Sequence, residues 1–337
     1  MYGKIALVLA VLYILLNVLM LRWVYQKPKD QRTPDEEYMR ATLKKLLVTR
    51  HAGSPGHKAV RDFLDKELMR FGYISSRDDF FHGINYSNVV GFLNDQAEQY
   101  LVLTCHYDGP SPRKGGEDFL ISATDGAVSC AILLTLAKTS KIFAKALGQN
   151  LGLALVFFDG HESLATAPGN KPLLYGSKNF VNKNIISLER IALVLTLNLI
   201  GAPNQTFPSY SQNEDKNHNR IAEIEHKLRE SGQLVDSHIL FQEMRSYGND
   251  LPDDHMPFKE YGIPFLHIAP EKYPNVHQTV TDKVENLHWP TILNMIKILR
   301  QFIPEYMESI DFINYGYFDF DDDVDEPTLP KEETNKW

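Results

Sequence analysis

Three stretches of this chain are apolar almost without interruption: residues 100–106 (YLVLTCH), 151–158 (LGLALVFF) and 191–200 (IALVLTLNLI). A strand with one wet face alternates apolar and polar side chains. Runs like these must be covered on both faces, as in a parallel sheet between layers of helices. The segments around them fit that arrangement. Thr33-Pro34-Asp35-Glu36 combines an N-cap hydroxyl with a proline at the first helical position, which predicts a helix from there to about residue 48. Val60, Phe63, Leu64, Leu68 and Phe71 recur at helical spacing before Gly72, predicting a second helix over 57–71, with Gly53-Ser54-Pro55-Gly56 as a turn between the two. Further helices are expected over 127–142, 219–231 and 290–302, and shorter strands over 78–82, 87–93 and 264–268. The fold class that follows is α/β, a three-layer α/β/α sandwich around a mostly parallel central sheet. With 337 residues, 43% of them hydrophobic, the chain can bury one large core, and a single domain over 33–305 is expected.

Both ends differ from that domain. Residues 5–21 form an apolar run followed by Arg22, Trp23 and Tyr25, without the small residues of a cleavage site, so residues 1–26 read as an uncleaved signal anchor of type II. If that segment is cleaved, the protein is secreted. The flanking charges, Lys4 against Arg22, Lys27 and Lys29, favour the opposite topology by the positive-inside rule. The cysteines and sequons weigh against them. Cys105 and Cys130 are the only two cysteines; they read either as buried thiols or as a disulfide stable in an oxidising compartment. Asn85-Tyr86-Ser87 and Asn204-Gln205-Thr206 are glycosylation sequons and agree with lumenal exposure. A Golgi membrane with the domain in the lumen is the expected location. At the other end, residues 306–337 are rich in acidic residues and read as a disordered tail. The net charge of -8, with no clustered Lys and Arg, excludes nucleic acid as a partner.

In an open α/β sheet the chemistry gathers beyond the carboxyl ends of the strands, so the polar residues that end the apolar runs come first. They are His106-Tyr107-Asp108, Asp125, His161-Glu162 after Phe157-Phe158-Asp159-Gly160, Asn198, and His277 after the last strand. Asp, Glu and His from separate elements make a donor set suited to catalytic zinc, which keeps one position open.

Taken in order, Arg50 with Gly53-Ser54-Pro55-Gly56, His106-Tyr107-Asp108, Ala123-Thr124-Asp125, Phe157-Phe158-Asp159-Gly160, Leu174-Tyr175-Gly176-Ser177, Leu199-Ile200-Gly201-Ala202-Pro203-Asn204, Asp253-Asp254-His255-Met256-Pro257-Phe258 and Gly262-Ile263-Pro264 form a series that resembles the glutaminyl-peptide cyclotransferases. These are relatives of the co-catalytic zinc aminopeptidases, and the resemblance runs from about residue 33 to residue 305. It implies a zinc aminopeptidase-like fold, one zinc ion on Asp125, Glu162 and His277, and a disulfide joining Cys105 to Cys130. It also implies catalytic roles for His161 and Asp253, with Asn198, His255, His267 and Val276 around the substrate. The family's reaction converts the N-terminal glutamine of peptides and proteins to pyroglutamate and releases ammonia, with zinc as Lewis acid.

Four positions depart from the pattern. His161 stands where the family carries a glutamate that shuttles protons. Asn198 replaces an aspartate, and Ala167 and Val276 replace tryptophans of the pocket wall, which widens it. An imidazole can accept and donate a proton near neutral pH, so shuttling can survive the first change. An amide is a poor ligand for a second ion, which disfavours the dinuclear aminopeptidase. The expected activity is therefore the cyclotransferase. A zinc-binding homologue that has lost catalysis and acts in recognition comes second, and a zinc aminopeptidase third.

Overall fold

The apolar runs become the centre of one sheet. Strands β1 (Ile74–His82), β2 (Ile84–Phe92), β3 (Gln99–His106), β4 (Leu151–Phe158), β5 (Ile191–Leu197) and β6 (Phe265–Ile268) lie in the order β1-β2-β4-β3-β5-β6. The computed structural model describes residues 13–17, 32–112, 120–144, 150–162, 171–242 and 251–309. Most of the expected anchor, Ala167 and the chain beyond 309 lie outside them. Among the described residues no helix is long and apolar enough to cross a membrane.

β4, β3, β5 and β6 run parallel, with Cys105 opposite Phe157 and Thr104 opposite Thr196. β1 and β2 form an antiparallel hairpin around Gly83 that joins antiparallel to β4, which makes the sheet mixed but parallel through its middle. Every residue of β3 and β4 is buried, as runs without a polar face require. β5 ends at Leu197, three residues before the expected end. There the Asn198 side chain accepts the Leu199 amide proton at 2.8 Å, and Leu199 turns to a positive φ of 58°.

On one face lie α1 (Pro34–Leu46), α2 (Pro55–Arg70), α3 (Val128–Ala144), α5 (Asp215–Glu230) and α7 (Trp289–Ser309). They pack Leu43, Val60, Leu64, Ile132 and Leu299 with Leu101, Leu103 and Leu155 of the sheet. Thr33 caps α1 as expected, its hydroxyl accepting from the Glu36 amide at 3.2 Å, a contact worth about 1 kcal/mol. The expected turn at 53–56 is a turn only as far as Ser54, whose amide donates to the His51 carbonyl at 3.0 Å, and α2 starts at Pro55, two residues earlier than expected. Ser54 Oγ accepts from the His57 amide at 3.1 Å and Pro55 occupies the first turn, where its missing N–H costs nothing. α7 runs on to Ser309, past the expected end at 302, and Met307 remains buried.

On the other face lie two short helices, α4 (Tyr175–Asn182) and α6 (Met256–Glu260), which put Phe180 and Phe258 against Val102, Val156 and Phe158. Neither was expected from the sequence. Both are short and neither has a side-chain N-cap.

Candidate active site

The site is built where β3, β4, β5 and β6 end. After β3 the chain returns through residues 120–127, and Asp125 sits in a π-type turn over Ala123–Ala127 with non-helical backbone angles. Gly126 follows at a φ of 89°, and a Cβ there would lie 2.7 Å from the His106 carbonyl oxygen, so this turn needs glycine. Two buried side chains hold it. Arg50 donates to the carbonyls of Tyr107 at 2.9 Å, Ser122 at 2.8 Å and Asp125 at 2.8 Å, and also to that of Ile121. Asp282 accepts from the Thr124 amide at 2.8 Å and from its hydroxyl at 2.9 Å. Beneath the turn, Cys105 and Cys130 face each other with their sulfurs 2.6 Å apart.

After β4, Asp159 is structural rather than catalytic: it binds His57 Nε2 at 2.7 Å, the Ser87 amide at 2.8 Å and the Tyr107 hydroxyl at 3.0 Å. Asp108 then takes the amide protons of His161 at 3.3 Å and Glu162 at 2.9 Å, which fixes where those two side chains begin. Glu162 reaches Asp125. Burial and the Asp125 charge raise its carboxyl well above the usual range, and among the described residues its buried Oε1 has no hydrogen-bond partner. Asp125 behaves oppositely. Burial pushes its pKa up, but bonds to His106 and His277 outweigh this and hold it well below the usual range. His277 Nε2 lies 3.1 Å from Asp125 Oδ2 and the His277 ring stacks on Tyr273 at 4.4 Å. His106 Nε2 is 3.3 Å from Asp125 Oδ1 and 3.2 Å from Asn198 Oδ1.

Across the pocket is a second polar cluster. His161 Nδ1 contacts Asp254 Oδ2 at 2.9 Å, and its ring stacks on His106 at 3.9 Å and 9°. Burial and His106 lower the His161 pKa, while Asp254 and Asp253 outweigh them and raise it. Asp253 Oδ2 meets His267 Nε2 at 2.9 Å; burial raises its pKa, yet this partner holds the carboxyl far below the usual range. His255 stacks on His267 at 4.1 Å.

Asp125, His161, Glu162, Asn198, Asp253 and His277 line one pocket. His255 and His267 stand behind Asp253 and do not line it, so their reach to a substrate passes through that carboxylate. Val276 lines an adjoining groove with Asn204 and Lys272 rather than the pocket itself. Both sequon asparagines, Asn85 and Asn204, are exposed. Tyr273, Gln278 and Asp254 were not among the expected site residues. Gln278, at a φ of 52°, and Tyr273 both line the pocket; the only sequence signal for them was adjacency to His277. For Asp254 the signal was the doublet Asp253-Asp254, which does not say which carboxylate meets which histidine.

Two donor groups come into question for a metal ion, and they are unequal: among the described residues only one of them brings its ligand atoms within 4.8 Å of one another, and it is not Asp125, Glu162 and His277. That group is His161, Asp253 and Asp254. All three are already engaged: Asp254 with His161 and Ser177, Asp253 with His267. Asp125 and Glu162, by contrast, are two buried carboxylates in contact, with His277 beside them and one oxygen unpartnered. That arrangement is unfavourable without a cation and fits zinc chemistry.

The chain is similar to known proteins in sequence and in fold. Residues 88–303 match the model of peptidase family M28. The chain is similar to glutaminyl-peptide cyclotransferase of Bos taurus, 35% identical over 320 residues that cover 87% of each chain. The same-named protein of Drosophila melanogaster is 32% identical over 293 residues, 81% of each. Among solved structures, Macrostomum lignano glutaminyl cyclase superposes with a TM-score of 0.73 at 27% identity, covering 82% of this chain and 90% of that one.

Proposed function

This chain belongs to the glutaminyl-peptide cyclotransferase family, on a peptidase family M28 domain, and on that footing we propose that it cyclises N-terminal glutamine to pyroglutamate. The α-amino nitrogen bonds to the side-chain amide carbon, the bond from that carbon to the amide nitrogen breaks, and ammonia leaves. The substrates are peptides and proteins that begin with glutamine.

The observation that carries this reading is the contrast between the two sides of Asp125. On one side Glu162 presents a buried, unpartnered oxygen and His277 a nitrogen 3.1 Å from Asp125, a set that fits one zinc ion. On the other, where a second ion would need a carboxylate, Asn198 offers an amide oxygen already shared between His106 and the Leu199 amide. One metal suits amide polarisation better than the two-metal hydrolysis of the aminopeptidases. Zinc, when bound by Asp125, Glu162 and His277, supplies Lewis-acid polarisation of the glutamine amide. His161, with Nδ1 engaged by Asp254, accepts the α-amino proton and returns it to the departing ammonia. Asp253, kept ionised by His267, accepts a hydrogen bond from the substrate's neutral α-amino group and orients it.

Around this site we place the remaining features of the chain. Cys105 and Cys130 form a disulfide under oxidising conditions, Asn85 and Asn204 carry glycans, and residues 1–26 anchor the protein in a secretory-pathway membrane of the Golgi, with the domain in the lumen.

The test uses the full-length chain with glutamine-initiated peptides and with aminoacyl reporters, following ammonia and free amino acid. Ammonia and pyroglutamate, both abolished by Glu162→Ala, are expected. Amino-acid release would instead identify a peptidase, and one bound zinc with neither product would identify a recognition protein.

A further inference from the structure

Behind His161, and not lining the pocket, lies a carboxylate that has so far entered only as a contact of Nδ1. Asp254 is fully buried, and each of its oxygens has one partner from a different element. Oδ2 lies 2.9 Å from His161 Nδ1, and Oδ1 accepts the hydroxyl proton of Ser177 at 2.6 Å. Ser177 is itself completely buried in the first turn of α4, so this end of the carboxylate is fixed to a helix rather than to a loop. The backbone amide of Asp254 donates to Asp253 Oδ1 at 2.7 Å, which sets the two neighbouring carboxylates on different tasks. Asp253 Oδ1 is 3.6 Å from the same imidazole nitrogen, beyond hydrogen-bond range, and its other oxygen is taken by His267. The His106 ring, parallel to that of His161 at 3.9 Å, stops it from swinging out of plane.

We propose that Asp254 is a positioning residue for His161: anchored by Ser177, it engages Nδ1 and leaves Nε2 as the nitrogen available to the substrate. The inference rests on the cyclase reading, and it gives α4, which otherwise only covers the sheet, a part in the reaction. A carboxylate that accepts from Nδ1–H selects one tautomer and one ring orientation, and an amide in its place can select the other. The role exists only because residue 161 is an imidazole. With glutamate at 161, the same aspartate would face a second carboxylate and hinder it.

That dependence supplies the test, made on the full-length chain with a glutamine-initiated peptide. Asp254→Asn is expected to lower kcat by about 10- to 100-fold while KM changes less than about twofold, the pattern of an interaction used in the transition state. Ser177→Ala is expected to lower kcat in the same direction by less. In a His161→Glu background, Asp254→Asn should leave kcat unchanged or raise it. A loss of similar size in both backgrounds means that Asp254 only supports the fold and overturns the proposal. If the unmodified chain releases no ammonia, the cyclase reading falls, and the tautomer decides the positioning claim. In histidine-labelled protein the ¹⁵N resonances of His161, identified by their disappearance in His161→Gln, should report Nδ1–H, and Nε2–H would overturn it.

Discussion

Asp125 and Asp253 face each other across the same pocket. Both are buried, and partner histidines hold both below the ordinary carboxylate range. Their surroundings differ in completeness. Asp253 belongs to a chain of filled contacts, His267 to one oxygen and the Asp254 amide to the other. Asp125 shares its space with a second carboxylate, Glu162, whose Oε1 has no partner. Buried polar groups are almost always satisfied within the protein or by a ligand, so the first cluster reads as preorganised and the second is the place we propose for the metal. A count of acidic and histidine side chains would not separate them; the unpaired oxygen does.

The comparison can be broken most directly at Glu162. Glu162→Ala is expected to abolish stoichiometric zinc binding and reduce ammonia release by more than about 10³-fold, since the metal-dependent term is lost outright. Elemental analysis that still finds one equivalent of zinc would move the metal to the other cluster.

Arg50 comes next. Arg50→Ala removes a buried cation from the carbonyls of Tyr107, Ile121, Ser122 and Asp125 and should destabilise the protein by about 3 kcal/mol in denaturant titration. It should weaken zinc affinity too, because the same contacts hold the Asp125 turn.

Glu162→Gln separates charge from shape. In the presence of chelator it should be more stable than the unmodified chain by about 1–2 kcal/mol, because a carboxyl whose pKa is raised by folding costs stability as pH rises through its titration. Added zinc should then stabilise the unmodified chain and leave this variant unchanged. Equal melting temperatures of the two proteins in chelator would show that the Asp125–Glu162 repulsion is already relieved.

The smallest effect concerns acid. Folding lowers the Asp253 pKa, so its contribution is present above the unfolded value near 3.9 and is lost as pH falls through the folded one. Asp253→Asn should flatten the fall of stability below about pH 4, and a curve parallel to that of the unmodified chain would remove Asp253 from the acid response.

Much of this architecture was legible in the residues. β3 and β4 could be read because an apolar run with no wet face has few alternatives to a buried strand, and Asp125, Glu162 and His277 because polar residues that end such runs collect at one edge of a parallel sheet. α4 and α6 were not legible. A helix of five or eight residues without a cap carries too little periodicity to announce itself, and its stability comes from Phe180 and Phe258 packing on the sheet. Ser54 was read only as part of a turn, which it closes, and its second role as the cap of α2 was missed for a related reason, since serine before proline serves either structure until the following residues are packed.

The sequence by itself therefore determined the fold class, the edge of the sheet where chemistry collects and the donors available there, because these follow from local patterning and strand order. Only the tertiary structure decided how the donors pair. Asp253 turned to His267, Asp254 to His161 and Ser177, and Glu162 was left beside Asp125 with an oxygen to spare. Those assignments depend on where loops from four strand ends settle and which contacts their burial leaves unfilled.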